Sequence, residues 1–467
     1  MNKAVLLDQG SFRDPSGQVF ESGGRIFRQV TEAGRANYEA ARDAGIYTRY
    51  QTSGKTISVK ELPRSEWPRA VNAAAYVLEH SRVPIVTYPY EWSFLALQAA
   101  ALHHLDLQIE LLAEGFTLSD ASAYNIQFIG PKPIFIDTLS VRPYQPGEYW
   151  LGHRQFCEQF LNPLLLRALK GVPHNVWFRG GLEGISTRDL SRIISLRNKF
   201  SWRTLIHVVL QSNLEQGSLN SPKDAVQRVK GARRLSRAGY NGILTQLRNW
   251  IAKLQPADTG KTIWGDYAGS NTYSDDESSL KRKIVQDFAA AVKPTTFVDL
   301  GCNSGDFSVA ALVGGATSVV GFDFDHRAVD LAFSRASENG LNFLPLWLDA
   351  ANPSPDQGWR QAERKGFASR VKADAVVALA FEHHLVIGRN IPMSQAVAWI
   401  VAIAPVGIIE FVPKSDPTVQ QMLALREDVF ASYGEELFVA SLETVARITQ
   451  KQQVSSSGRT LFQFERK

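Results

Sequence analysis

The stretch Phe297-Val298-Asp299-Leu300-Gly301-Cys302-Asn303-Ser304-Gly305-Asp306-Phe307-Ser308 constrains the fold more than any other part of the chain. Apolar, strand-forming residues run into Asp299, the chain turns through Gly301 and Gly305, and a helix is expected from near Ser308. A short apolar run followed at once by glycines and a helical pattern fits a strand buried on both faces. Glycines at such a turn let main chain approach a ligand at the carboxyl end of that strand. Alone, a D-x-G-x-x-x-G match is weak. Its surroundings strengthen it. SVVGFD ends at Asp323, eighteen residues after Gly305, NFLPLWLD ends at Asp349, and ADAVVALAF leads into Glu382-His383-His384. GIIEFV, with Glu410, and TLFQFERK follow. Strands alternating with amphipathic helices predict an α/β domain over residues 262–467, mostly parallel with helices on both faces.

Acids at successive strand ends are hard to explain as packing. Asp323 is placed to accept hydrogen bonds from both hydroxyls of a ribose, and Asp349 to meet an adenine amino group. The dinucleotide fingerprint G-x-G-x-x-G is not met, because Asn303 stands in its third position. The pattern instead resembles class I S-adenosylmethionine-dependent methyltransferases, with DLGCNSG replacing the middle glycine of DxGxGxG by Asn303. That resemblance implies a Rossmann-like domain, S-adenosylmethionine as cofactor and no metal. The implied cofactor-binding set is Asp299, Gly301, Cys302, Asn303, Gly305, Asp323, Phe324, Asp349 and Ala350. A nucleotide-like fold without activity is the bland alternative.

Methyl transfer is an in-line displacement from an already activated donor. The protein mainly positions the acceptor and removes a proton from its hydroxyl or amine. His383 and His384 follow the fourth strand, and an imidazole suits the base role near neutral pH. Either one is the catalytic candidate, the bland reading being packing or helix capping. Glu382 and Glu410 are the candidates to orient or assist. Asn352 is a candidate for substrate contact, and Trp264, Tyr267 and Tyr273 for a lid over the donor or for ordinary core.

The first 184 residues read as an α+β unit. GQVFESGGRIFRQV predicts a hairpin around Gly23-Gly24, and helices are expected through TEAGRANYEAARDAG and through EWSFLALQAAALHHLDLQIELLAEG. Asp120, Asn125 and then Asp137 at a strand end resemble the catalytic loop and metal-binding aspartate of kinase-like folds. Membership there would imply magnesium and ATP. No His-Arg precedes Asp120, no glycine stands at 139, and Lys60 and Arg28 are poor substitutes for the expected lysine. The plain alternative is a hairpin whose Asp120 and Asn125 satisfy turn main chain. Residues 185–261 read as a helical basic connector.

Taken together, YPYEWSFLALQAAAL, DASAYNIQF, PIFIDTLS, QFCEQFLNPLLL, DLGCNSGDFS and IIEFVPKSDP resemble a bacterial family of two-part methyltransferases that includes nodulation-type proteins. The resemblance spans most of the chain. It implies methyl transfer and, through the nodulation label alone, a glycan or other cell-surface precursor as acceptor. A bifunctional kinase–methyltransferase, an RNA methyltransferase and a noncatalytic scaffold are the rival readings.

Composition excludes other classes. With 44% hydrophobic and 21% charged residues, a chain of 467 is globular, with two to three domains. Two cysteines provide no disulfide framework. The N-terminus lacks a signal-peptide core, and AVAWIVAIAPVGII is too short to span a bilayer. It reads as helix, proline turn and buried strand, and the expected location is cytoplasmic. Net charge is only +5, yet Lys223, Arg228, Lys230, Arg233, Arg234, Arg237, Arg248 and Lys253 face the single acid Asp224. A solvated face is the plain reading, and an anionic carrier, phosphorylated glycan or lipid head group the next. No RNA-binding module accompanies the segment, so nucleic acid is not the expected partner.

Overall fold

A computed structural model describes residues 5–68, 74–195, 235–258, 275–424 and 427–467. Strands β1 (Val5–Leu7), β2 (Val19–Ser22), β3 (Arg25–Val30), β4 (Val59–Glu61) and β5 (Tyr76–His80) form an antiparallel sheet in the order β1-β2-β3-β5-β4. Gly23 and Gly24, at φ 60° and 79°, close the β2–β3 hairpin. Two consecutive left-handed residues match the right-handed twist of the strands. Helix α1 (Phe94–Ala113) is mostly apolar and largely buried; the Ser93 hydroxyl caps it by accepting the Ala96 N–H at 3.1 Å. It ends before Gly115, at φ 85°. The hairpin of β7 (Ile126–Ile129) and β8 (Lys132–Phe135) lies between β6 (Phe116–Leu118) and β9 (Val141–Pro143), which pair with each other.

The second sheet contains β10 (Thr296–Leu300), β11 (Ser318–Asp323), β12 (Phe343–Trp347), β13 (Ala375–Ala378), β14 (Val406–Phe411), β15 (Ala446–Gln453) and β16 (Thr460–Arg466). Their order is β12-β11-β10-β13-β14-β16-β15. The first five run parallel, and β16 is antiparallel to both β14 and β15. The strand order therefore reverses beside β10, where β13 pairs on its other edge. Such a switch point opens a crevice at the carboxyl ends of the strands. Helices α2 (Asp275–Val292), α3 (Asp306–Val313), α4 (His326–Glu338) and α5 (Glu382–Arg389) border it. Helix α3 starts two residues earlier than the sequence suggested. AVAWIVAIAPVGII folds as helix Met393–Val401, a proline turn and β14.

The two sheets are joined through buried charge as well as apolar packing. Arg167, in helix Asn162–Lys170, pairs with Asp258 at 3.0 Å and with Asp330 of α4 at 2.8 Å. Asp330 also accepts the Leu95 N–H at 3.1 Å, at the start of α1. Arg370 and Glu91 form a second buried pair, and Phe128 meets Phe333 edge to face. Among the described residues no helix is long and apolar enough to cross a membrane.

Candidate functional site

The crevice beside β10 is a cleft of about 390 Å³. The turn after β10 is pinned by main chain: Gly301 and Cys302 both donate to the Phe322 carbonyl, at 2.8 and 3.1 Å. Gly301 and Gly305 have φ of 77° and 90°, where side chains strain the backbone. A Cβ at Gly305 would lie 2.5 Å from Phe343 Cε1, and one at Gly301 3.1 Å from Phe381 Cδ2. Asn303, at φ 47°, explains the missing middle glycine, since asparagine tolerates this region better than other side-chain-bearing residues. Its Oδ1 accepts the Ser304 N–H at 2.7 Å.

Asp323 closes the loop from the neighbouring strand. Its carboxylate oxygens accept the N–H groups of Asn303 and Asp325, each at 2.8 Å. Burial nevertheless pushes the carboxyl up to about 6. Gly301, Cys302, Asn303, Asp323, Phe324, Asp349 and Ala350 all line the cleft. Cys302 is buried, and burial raises its thiol. Phe324 is 51% exposed and carries the Arg389 guanidinium 5.6 Å from its ring centre. Asp299 lies beneath the loop instead: it is buried, takes the Ser308 hydroxyl at 2.6 Å, and is raised by burial to about 7. Asn352 is also outside the wall, its carbonyl accepting from Arg179 at 2.7 Å.

The fourth-strand cluster divides. His384 lines the cleft, whereas His383, Glu382 and Glu410 are buried behind it. The two imidazole rings lie with centres 4.2 Å apart, tilted by 37° to one another. Burial, helped by Arg459, lowers His384 to about 4, so its ring is neutral at pH 7. His383 is lowered further by the same desolvation. Glu410 receives the Lys281 ammonium at 2.5 Å and the Ala380 N–H at 2.8 Å, with Arg459 3.8 Å away. Ala380 has φ 48°, a strained value for alanine, and immediately precedes Phe381 in the cleft wall. Glu410 is thus a clamp on the wall. Arg459 is itself held by Asp416, through bonds of 2.7 and 2.8 Å.

Glu382 accepts the Tyr433 hydroxyl at 2.7 Å, and burial pushes its carboxyl from 4.5 to about 8. A folded value above the unfolded one favours the folded state at low pH, and that contribution is lost as pH rises from 4.5 through about 8. Glu382→Gln, which is always neutral, should flatten this dependence. Its melting temperature should gain on the wild type at pH 9 relative to pH 5; parallel pH curves would refute the buried neutral carboxyl.

Lys281 and Arg459 were not singled out from sequence. Lys281 did leave a signal, because it sits in register with buried Ile284, Val285 and Phe288 on α2, where a lysine needs a partner. Arg459 left none, since its partners lie far away in the chain. The lid candidates Trp264, Tyr267 and Tyr273 lie outside the described residues, as do five of the eight basic residues of the segment 223–253. Two of its described members bind their own chain: Arg237 to the Leu112 carbonyl and Arg248 to Asp106 at 2.8 Å.

In the N-terminal half, Asn125 Nδ2 approaches Asp120 at 3.1 Å and Asp137 at 3.3 Å. Its side chain serves carboxylates, so the plain turn reading is corrected. Burial and the Asp137 charge raise Asp120 to about 7. Arg28 pairs with Asp137 at 2.8 Å and also with Asp14. A guanidinium therefore stands where magnesium would need those carboxylates, and the residues present do not fit the ion. Lys60 is exposed and reaches only toward Glu66, at 4.0 Å.

Residues 283–378, from α2 to the end of β13, match the family model described as Ribosomal protein L11 methyltransferase (PrmA). The ribosomal protein L11 methyltransferase of Shewanella sediminis is 29% identical over 123 residues, 23% of this chain and 42% of that protein. A crystal structure of the N-methyltransferase NodS from Bradyrhizobium japonicum aligns with 14% identity and a TM-score of 0.31, covering 42% of this chain and 99% of that one. The nodulation protein NoeA of Rhizobium meliloti is 47% identical over 458 residues, which is 98% of this chain and 95% of the relative. Near-full-length identity of that degree, with a methyltransferase model matched across the donor-side strands, means that the chain belongs to the NoeA family within the class I S-adenosylmethionine-dependent methyltransferase superfamily.

Proposed function

We propose that the chain transfers a methyl group from S-adenosylmethionine to a hydroxyl or amine of a small-molecule or glycan-type acceptor, with His384 as the base. The observation that carries this reading is the gathering of the glycine turn, Asp323, Asp349 and His384 around one cleft. The residues fit the donor: a side chain at Gly301 would crowd Phe381 in the cleft wall, Gly305 packs on Phe343 outside the lining and so shapes the turn, and Asp323 is oriented by two main-chain N–H groups. When bound, the donor supplies a methyl already activated on a sulfonium. Asp323 orients a ribose, Asp349 takes an amino group at the adenine end, and Phe324 offers an apolar face. His384, neutral at pH 7, accepts the proton of the acceptor. Glu410 acts through the Ala380 turn, as a positioning residue. The relative's nodulation name is the support for a glycan-type acceptor.

We further assign residues 1–184 to a kinase-like α+β domain that presents the acceptor, 185–261 to a connector and 262–467 to the methyltransferase domain. Five antiparallel strands, α1, and the convergence of Asp120, Asn125 and Asp137 support that reading. Arg28 speaks against phosphoryl transfer, and no step is routed through magnesium or ATP. We place the protein in the cytoplasm.

Calorimetry of the intact protein with S-adenosylmethionine, followed by transfer of labelled methyl into fractionated cell extract, tests the proposal. Donor binding and a labelled small molecule or glycan are expected; no donor binding sinks it, and labelled RNA redirects it. His384→Asn should lower kcat by about a hundredfold while donor affinity stays within about twofold.

A further inference from the structure

Between β12 and β13 the chain makes a long excursion with little regular structure: a 3-10 turn at Trp359–Gln361 and a four-residue helix at Phe367–Arg370. Arg360 and Gln361 both lie in the left-handed region, at φ 58° and 53°. A segment of this kind has few ladder hydrogen bonds of its own and takes its shape from what it packs on. Its first residues belong to the cleft, since Asp349, Ala350 and Ala351 line the wall. They form a turn in which the Ala351 N–H donates to Asp349 Oδ1 at 3.1 Å and the Asn352 N–H to the Asp349 carbonyl at 2.9 Å.

Residues of the N-terminal half hold this segment at three places. Arg179, in the helix Asn175–Gly180, donates to the Asn352 carbonyl at 2.7 Å. Arg13 donates twice to the Glu363 carboxylate, at 2.8 and 3.0 Å. Arg370 donates to the Val86 carbonyl at 2.7 Å and pairs with buried Glu91. The helix that carries Arg179 is itself anchored. Asn175 donates to the carbonyls of Tyr90 and Trp92, at 3.0 and 2.9 Å, and Phe178 is buried.

Of the three, the Arg179 contact acts on the Asp349 turn itself. Among the described residues Arg179 forms no ion pair, and its guanidinium serves that one main-chain oxygen. A charged donor bonds a carbonyl more strongly than a neutral one. It fixes the Asn352 peptide and, through the turn, the direction of the Asp349 carboxylate. Oδ1 of that carboxylate is taken by the Ala351 N–H and lies 3.7 Å from Arg389, whereas Oδ2 has no partner among the described residues. Oδ2 is the oxygen left to meet an amino group.

Resting on the donor reading above, we propose that Arg179 is a positioning residue for the base-binding end of the cleft, so that the N-terminal half sets how sharply the donor site tells an amino-bearing purine from one without the amino group. The test compares S-adenosylhomocysteine with S-inosylhomocysteine, in which an oxo group replaces the amino group of the base. Calorimetry of the full chain should show the wild type favouring S-adenosylhomocysteine. Arg179→Ala should weaken that ligand by about fivefold and S-inosylhomocysteine by less than about twofold. Its melting temperature should stay within about 2 °C of wild type, because a single partly exposed contact is lost. Arg179→Lys, which keeps a charged donor, should recover part of the discrimination. Equal weakening of both ligands, no weakening of either, or a wild type indifferent to the amino group overturns the inference while leaving the donor reading standing. Wild-type protein that binds neither ligand overturns the donor reading and this inference together.

Discussion

Asp323→Ala should weaken S-adenosylhomocysteine binding by about a hundredfold or more, corresponding to about 2.7 kcal/mol. Two losses combine. The carboxylate now receives the N–H groups of Asn303 and Asp325 at 2.8 Å, and hydrogen bonds to a charged group contribute about 1.5–3 kcal/mol each. Without them the left-handed Asn303 loses its bond to the Asp323 carboxylate, and the acceptor proposed for the ribose hydroxyls is gone as well. Asp323→Asn keeps the shape and one acceptor oxygen, so its loss should be smaller. The wild type carries a pH signature of the same group. Because burial raises this carboxyl to about 6 in the ligand-free protein, donor affinity should fall as pH drops below that value and the carboxylate takes a proton. Calorimetry across that range checks both points; an Asp323→Ala protein with wild-type affinity would remove the residue from the site.

The largest effect on stability is expected at Arg167. It is 2% exposed, and removing one partner of a buried ion pair costs about 3–5 kcal/mol, because the other charge stays behind unpaired. In Arg167→Ala that stranded charge is Asp330, whose position is fixed by the Leu95 N–H and by α4. Urea unfolding should show the loss. Burial already raises Asp330, so the penalty should shrink as pH falls toward the ordinary carboxylate range and the stranded acid becomes neutral. Arg167→Met with Asp330→Leu should recover most of the stability, since a well-packed apolar pair removes the uncompensated charge. An Arg167→Ala protein within about 0.5 kcal/mol of wild type would show that the pair contributes little.

These two residues mark the limits of what the sequence makes legible. Asp323 is visible because a buried parallel strand is an uninterrupted apolar run and its end is marked by the first polar residue. The same logic exposes β10 to β14 and β16. It misses β15, where Ala-Arg-Ile-Thr-Gln-Lys-Gln-Gln forms a largely exposed edge with little apolar pattern to read. It also overreads strand ends: Asp299, Glu382, His383 and Glu410 lie at or near them, but their side chains turn into the protein interior. Sequence position gives the end of the strand and not the direction in which its side chain points. Arg167 and Arg459 were beyond reach for another reason. Each is defined by partners from distant segments, and local periodicity carries no trace of such pairings. Asn303 lay between these cases, since its departure from glycine was plain but its left-handed backbone had to be seen.

The clamp on the Ala380 turn has a consequence for how the molecule is made. Glu410 is faced by Lys281 from before the sheet and by Arg459 from its final hairpin, and Arg459 is fixed in turn by Asp416. A ribosome delivers Lys281, the glycine turn, Asp323 and His384 well before it delivers Arg459. A nascent chain can therefore assemble the donor strands while the wall beside His384 still lacks one of its two cations. Under the proposed function, competence for methyl transfer would arrive late in synthesis, set by a residue that does not line the cleft.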